Sequence, residues 1–239
     1  MKLVGHRGLP QTFPENSLTG FAAAIEAGAE GIECDVQFNR QGEAFVVHDE
    51  TLERVSGDAL SIEVLDGEQL QKISVHEPER LGDQHVPTPL PLLADLVKLL
   101  AQHPDVKVFV ELKAESFAWL SRERVVSKTL SVLKGLETQA IIISFDYDIL
   151  EQVKAASTFP IGWVLENRDL PSLSAARALA PDYLASDYRL WQDELPWPGK
   201  WQWFVYDVMS ATHARELESR GVEWMESWDV ASLRAELDQ

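Results

Sequence analysis

Only one cysteine, Cys34, occurs in the 239 residues, which excludes an internal disulfide framework. Long apolar runs are missing as well. No stretch approaches the roughly 18 residues needed to span a bilayer, and the opening Met-Lys-Leu-Val-Gly-His has no long apolar core of an export signal. Positive charge is scarce: 21 Lys and Arg stand against 39 Asp and Glu, a formal charge of −18. Such a surface repels nucleic acid and anionic lipid. These absences predict a cytoplasmic protein with no nucleic-acid partner and no stable membrane anchor, and they set no oligomeric state. An anionic substrate would have to be drawn in by a local cation, either a side chain or a metal. Internal repeats beyond the strand-helix unit and low-complexity tracts are also lacking.

What is present is a globular balance, 45% hydrophobic and 25% charged, suited to one domain over 1–239 with a sizeable core. Short β-rich runs near 2–5, 31–38, 106–112, 140–144, 160–165, 183–186, 202–206 and 222–225 alternate with amphipathic stretches, and an extra short strand at 44–47 continues the second. Leu18, Phe21, Ala22 and Ile25 follow the helical period, opened by Asn16 or Ser17 and closed by Gly28. Leu92, Leu93, Leu96, Leu99 and Leu100 make a second apolar face. Eight strands, each followed by a helix, predict an α/β protein of the (β/α)8 (TIM) barrel type. The competing doubly wound sheet would favour a Gly-rich phosphate loop after the first strand, and Gly5-His6-Arg7-Gly8 lacks that spacing. Residues 50–90 are too long for a strand-helix loop and too short for a domain. They read as a small insertion after the second strand unit, lying over the C-terminal face of the barrel.

In Glu33-Cys34-Asp35 the strand alternation sends both carboxylates to one face and Cys34 with Val36 to the other. Converging like charges inside a barrel call for protons or a hard divalent cation, although a pair at a solvated strand end would have the same spacing. Glu111 and Lys113 share a face at the end of another strand, where an ordinary ion pair would also fit. His6 and Arg7 follow the first strand, and His48 with Asp49 follows the short strand at 44–47. The other four histidines, His76, His85, His103 and His213, fall in helices, loops or the insertion. Strand ends on that face surround the active site in such barrels. Two imidazoles there can move protons, while Arg7 and Lys113 hold a phosphate against a metal on Glu33, Asp35 and Glu111.

Five ordered motifs, His6-Arg7-Gly8, Pro14-Glu15-Asn16-Ser17, Glu33-Cys34-Asp35, His48-Asp49 and Glu111-Leu112-Lys113, give the chain a close resemblance to glycerophosphodiester phosphodiesterases. The match is strongest over 3–54. The resemblance implies metal-dependent hydrolysis of a small-molecule phosphodiester to glycerol 3-phosphate and an alcohol. By the same resemblance Glu33, Asp35 and Glu111 are metal ligands, His6 and His48 the acid-base pair, and Arg7 and Lys113 the phosphate contacts. An all-carboxylate set favours Mg2+ or Ca2+. Glu15 and Asn16 either touch the site or brace its loop, and Ser144-Phe145 resembles a pocket-lining feature of the family. The last strand ends depart from the pattern: Val205-Tyr206-Asp207 stands where the family has Thr-Val-Asn, and Met225-Glu226-Ser227 where it has Ile-Thr-Asp. Tyr206, Trp224 and Trp228 are candidate contacts to the released alcohol. The altered ends keep two other readings open: a phosphodiesterase acting on lysophospholipids or another diester, and a phosphate-binding module that has lost turnover.

Overall fold

Residues 1–191 and 195–239 are described by the computed structural model of the chain. The alternating apolar runs form β1 (Lys2–Gly5), β2 (Gly31–Phe38), β3 (Ala44–Val46), β4 (Lys107–Leu112), β5 (Ala140–Ser144), β6 (Ile161–Leu165), β7 (Tyr183–Asp187), β8 (Gln202–Tyr206) and β9 (Trp224–Ser227). All but β3 pair in parallel, and the β1–β2 pairing closes them into an eight-stranded barrel, which excludes the open doubly wound sheet.

Helices wrap this ring because each strand buries both faces. Residues such as Cys34, Val36, Val108 and Val110 point outward into the helix layer. Their neighbours Val4, Phe109, Ile143, Phe204 and Trp224 fill the barrel interior. α1 (Leu18–Glu26) starts at Ser17, whose hydroxyl accepts from the Gly20 N–H, and ends before Gly28 at φ +87°, a conformation open to glycine. The insertion carries three single-turn helices, α2 (Glu53–Ser56), α3 (Gly67–Leu70) and α4 (Pro78–Leu81). The outer layer continues with α5 (Leu93–Leu100), α6 (Arg122–Leu133), α7 (Tyr147–Ala156), α8 (Leu170–Leu179), α9 (Ala211–Ser219) and α10 (Val230–Leu237). No helix among the described residues is long and apolar enough to cross a membrane.

Phe109 fills the barrel floor. It is fully buried, its ring stacks on Phe204 at 4.4 Å between centroids, and Tyr183 and Trp224 meet its edges at 5.4 Å each. Phe109→Ala is expected to cost about 3–5 kcal/mol, because the closed ring cannot collapse into the void. Urea unfolding would measure it, and a loss under about 1 kcal/mol would show a floor far more deformable than its packing implies.

Two expectations need correction. The 44–47 strand does not continue β2 in the same direction. The turn at Asn39–Gly42 reverses the chain, so β3 runs antiparallel to β2, with Val46 opposite Val36 and Ala44 opposite Phe38. Nor is every barrel strand followed by an α-helix. After β7 the described residues hold only a 3-10 turn, Tyr188–Leu190, in a connection that also carries Pro196, Pro198 and Gly199.

The insertion packs on β3 around a separate apolar cluster, in which Phe45 and Val47 meet Leu52, Val55, Ile62, Leu70, Val75 and Leu90. It is tied to the loop that leaves β1. The Glu77 carboxylate accepts the Glu15 N–H at 2.9 Å and pairs with Arg80, whose guanidinium also donates to the carbonyls of Pro10 and Phe13. That loop follows the C-terminal end of β1, so the insertion meets the barrel on its C-terminal side.

Candidate active site

Strand register assembles the acidic centre. Asp35 of β2 lies directly opposite Glu111 of β4, and Glu33 faces inward two residues earlier on β2. Carboxylate oxygens of Glu33, Asp35 and Glu111 all lie within 4.8 Å of one another, so the three could hold one metal ion. Glu33 and Asp35 are 3% and 2% exposed, and Glu33 Oε1 has no hydrogen-bond partner. An orphaned buried carboxylate oxygen beside two more carboxylates fits a hard cation with oxygen ligands.

Two cations already sit on this cluster. Arg7 Nε approaches Asp35 at 3.0 Å and its terminal nitrogen approaches Glu15 at 3.1 Å, while its backbone N–H donates to Glu33 at 3.2 Å. Lys113 Nζ lies 3.0 Å from Glu111 and 3.7 Å from Asp35. Asn16 grips Asp35 from both sides, its amide donating to the carboxylate at 2.9 Å and its carbonyl accepting the Asp35 N–H at 3.2 Å. Arg7, Asn16 and Asp207 all have φ between 55° and 61°, so three non-glycine residues around the mouth hold left-handed backbone. Such geometry costs about 1–3 kcal/mol each and persists where surrounding contacts fix it.

Both histidines line the same cavity, of about 200 Å³, with Arg7, Glu33, Glu111 and Lys113. His6 packs edge-on against Trp228 at 5.1 Å. Its Nδ1 lies 3.7 Å from Glu226 and 3.8 Å from Asp207, too far for a hydrogen bond. His48 arrives by the unexpected turn: because β3 runs back down along β2, its end delivers His48 to the level of Asp35. Asp49 bonds His48 Nδ1 at 2.6 Å and is itself held by Arg54 Nε at 2.8 Å, while Arg54 also pairs with Glu15.

The charges follow from burial and neighbours. Burial would push Asp35 up, but Arg7, His48, Lys113 and the Asn16 amide together bring it down to about 2. Glu33 is driven well above the usual carboxylate range by burial and then by Asp35, and Glu111 is raised by the same two causes. Glu226 is also pushed well up, by burial and then by Asp207. His6 is lowered to about 3, chiefly by burial and then by Arg7, so its ring is neutral near pH 7. Carboxyls held protonated in the fold ionise first in the unfolded chain. With the raised Glu33, Glu111 and Glu226, the metal-free protein therefore loses stability as pH rises above the ordinary carboxylate range. A bound cation reverses that sign by favouring the ionised forms.

Every residue singled out from the sequence as catalytic, metal-ligating or phosphate-binding thus lies at the barrel mouth. Of the three aromatic candidates, Tyr206 lines the cavity and Trp228 packs on His6 and Arg7. Trp224 does not belong to the mouth. It starts β9, is 3% exposed, and its indole N–H bonds Gln202 in the lower barrel beside Lys2. Glu226, Asp207 and Asp49 were not assigned from the sequence. Inward alternation from Trp224 to Glu226 on β9 was the available signal for the first.

Fold and mouth together define a (β/α)8 barrel with a three-carboxylate cluster, two histidines and two cationic side chains, Arg7 and Lys113. Residues 6–225 match the model of the glycerophosphoryl diester phosphodiesterase family, and the chain belongs to that family. A glycerophosphodiester phosphodiesterase of Caldanaerobacter subterraneus is 29% identical over 152 residues, which is 64% of this chain and 61% of that protein. One from Bacillus altitudinis is 27% identical over 149 residues, 62% of this chain and 60% of its own length. The matched stretch is therefore less than two thirds of the length of these relatives. In fold, the chain is similar to an Oleispira antarctica phosphodiesterase solved with the product sn-glycerol-3-phosphate: TM-score 0.87 at 18% identity, over 100% of this chain and 97% of that one. An Agrobacterium tumefaciens glycerophosphodiester phosphodiesterase gives 0.79 at 20% identity, over 98% of this chain and 99% of that one.

Proposed function

We propose that the chain hydrolyses glycerophosphodiesters to glycerol 3-phosphate and an alcohol with the help of a divalent metal, and that residues 1–239 act as one domain in doing so. The observation that carries this reading is the convergence of Glu33, Asp35 and Glu111 with Arg7, Lys113 and two histidines at one barrel mouth. Glu33, Asp35 and Glu111 would hold the metal, and an all-oxygen set suits Mg2+ or Ca2+. When bound, such an ion supplies Lewis-acid neutralisation of phosphodiester charge.

The chain's own groups do the rest. Arg7 and Lys113 orient the phosphodiester oxygens. Asp49 is held below its usual range first by its hydrogen bond from His48, so it stays ionised and accepts a hydrogen bond from the Nδ1–H. That tautomer leaves His48 Nε2 able to take the proton from the attacking oxygen. His6, neutral in the metal-free protein, would face the leaving oxygen as a hydrogen-bonding ring, and the proton that completes the alcohol is balanced by the one His48 takes from the attacking oxygen, exchanged through solvent. The aromatic and aliphatic wall of Ile143, Phe145, Val164 and Tyr206 would exclude water from the far side of the substrate.

Glycerol 3-phosphate release from glycerophosphocholine and glycerophosphoethanolamine, with EDTA and then with added Mg2+ or Ca2+, tests reaction, substrate class and metal together. Metal-restored release is the expected result, and no release with either ion would overturn the proposal. Faster cleavage of lysophosphatidylcholine than of glycerophosphocholine would move the substrate class to lysophospholipids.

Asn16 offers a separate check. Asn16→Gly keeps the left-handed backbone accessible while deleting both bonds to Asp35. Mg2+ affinity, read by calorimetry, is expected to fall about 10- to 100-fold. Unchanged affinity would mean that Asp35 needs no brace.

A further inference from the structure

The acidic residues at the two atypical strand ends are not used by the proposed chemistry, yet they face the same cavity. Glu33, Glu111, Asp207 and Glu226 line it against only Arg7 and Lys113. Register explains how Glu226 arrives there: it pairs with Val4 across β1–β9, two residues before His6 and beside the first strand's mouth. The residue is 2% exposed, and its Oε1 has no hydrogen-bond partner. Two further orphaned atoms, Glu33 Oε1 and His6 Nδ1, are buried beside it. One oxygen on each of two carboxylates and one imidazole nitrogen, all buried and without a hydrogen-bond partner, would each cost stability unless something bonds them. Ligand atoms of His6, Glu33 and Glu226 lie within 4.8 Å of one another, close to the span that one small cation bridges.

We propose a second divalent-cation site formed by His6 Nδ1, Glu33 and Glu226, sharing Glu33 with the Glu33–Asp35–Glu111 site to give a paired-metal centre. The proposal rests on the first site being a metal site, as the proposed function holds. Its donor set differs from that site in kind. One imidazole nitrogen with two carboxylates suits a borderline ion such as Zn2+ better than Ca2+, and Mn2+, a harder ion at home on carboxylates, can occupy both sites. Asp207, 3.8 Å from His6 Nδ1 and partly exposed, lies at the open side, where it adds negative potential. A cation on Nδ1 leaves the ring's remaining nitrogen, Nε2, as the edge available to substrate. Because both residue sets include Glu33, two ions held there would be near enough for their unpaired electrons to couple.

Mn2+ is the probe. The full chain is stripped with EDTA, desalted, titrated with Mn2+ alone and analysed by free-ion counting and electron paramagnetic resonance. Two Mn2+ per chain with a spin-coupled spectrum are expected for the wild type. Glu226→Gln, which keeps the shape of the side chain, is expected to bind one Mn2+ with an uncoupled spectrum. A single Mn2+ in the wild type overturns the proposal, and so do two coupled Mn2+ in Glu226→Gln. If that variant failed to fold by circular dichroism, wild-type stoichiometry and spin coupling would still decide. The two readings separate cleanly: two coupled ions without diester cleavage would sink the proposed function and keep the site. Cleavage by a protein that binds one ion would do the reverse.

Discussion

Asp35→Asn is expected to lower kcat/KM for glycerophosphocholine by about a thousandfold or more, and to abolish the thermal shift produced by Mg2+ or Ca2+. No other carboxylate in the mouth has as many dependants. Arg7 and Lys113 both pair with it, Asn16 bonds both its side chain and its backbone, and Glu111 lies directly across the sheet from it. Removing the charge while keeping the shape therefore strikes the metal and the phosphate contacts at once. Its low value, about 2, means that this carboxylate stays charged through mild acid, whereas its raised neighbours do not. Activity measured beside the metal-induced shift in Tm separates the roles. A lost rate with a retained shift would show that Asp35 holds the two cations rather than the metal.

His48→Gln is expected to lower kcat by about 10²- to 10⁴-fold, with KM within a small factor and the metal-induced thermal shift intact. The imidazole is kept apart from the metal carboxylates by its own support, the 2.6 Å bond to Asp49 and the bond from Gln37 to its backbone carbonyl. A proton-transfer group should contribute in the transition state and little to ground-state binding. A rise in KM matched by no fall in kcat would place His48 among the substrate contacts.

Much of this site was legible because its residues occupy strand ends and because β-strand alternation is strict. Reading Glu33 and Asp35 onto one face needed nothing beyond the period of two, and the bounds expected for β1, β2, β5 and β8 are those observed. The last strand was displaced for a physical reason. Val222 looks like a strand residue, but its N–H bonds Leu217 at the end of α9 and its side chain packs into the helix layer. Glu226 looks like a strand terminator, yet the barrel buries it. A charged side chain in an apolar run reads as an edge until tertiary structure supplies the enclosure. That same error hid Glu226 from the candidate site. The direction of β3 was hidden differently, since both a continuing and a reversing strand fit the apolar run at 44–47, and the turn that decides between them is a property of hydrogen bonding around Asn39. The Asp49 contact to His48 and the Asn16 grip on Asp35 depend on side-chain geometry that spacing alone does not encode.

The placement of His48 just beyond β3 divides responsibility for the site between two structural bodies. Asp35, Glu33 and Glu111 stand on staves of the closed ring, whose opening would require breaking parallel pairings on both sides. His48 and Asp49 stand where the β2–β3 hairpin passes into the insertion, whose apolar cluster is tied to the mouth by Arg54 on Glu15, by Glu77 on the Glu15 backbone and by Arg80 on the carbonyls of Pro10 and Phe13. Small units latched by a few polar contacts open at lower free energy than the body that carries them. Loosening the insertion would therefore disturb the Asp49 support of His48 before it disturbed the carboxylates of the ring, while the ladder to β2 still holds the strand that precedes His48. Glu15, buried between Arg54 of the insertion and Arg7 at the acidic cluster, is the joint through which a change in one body reaches the other.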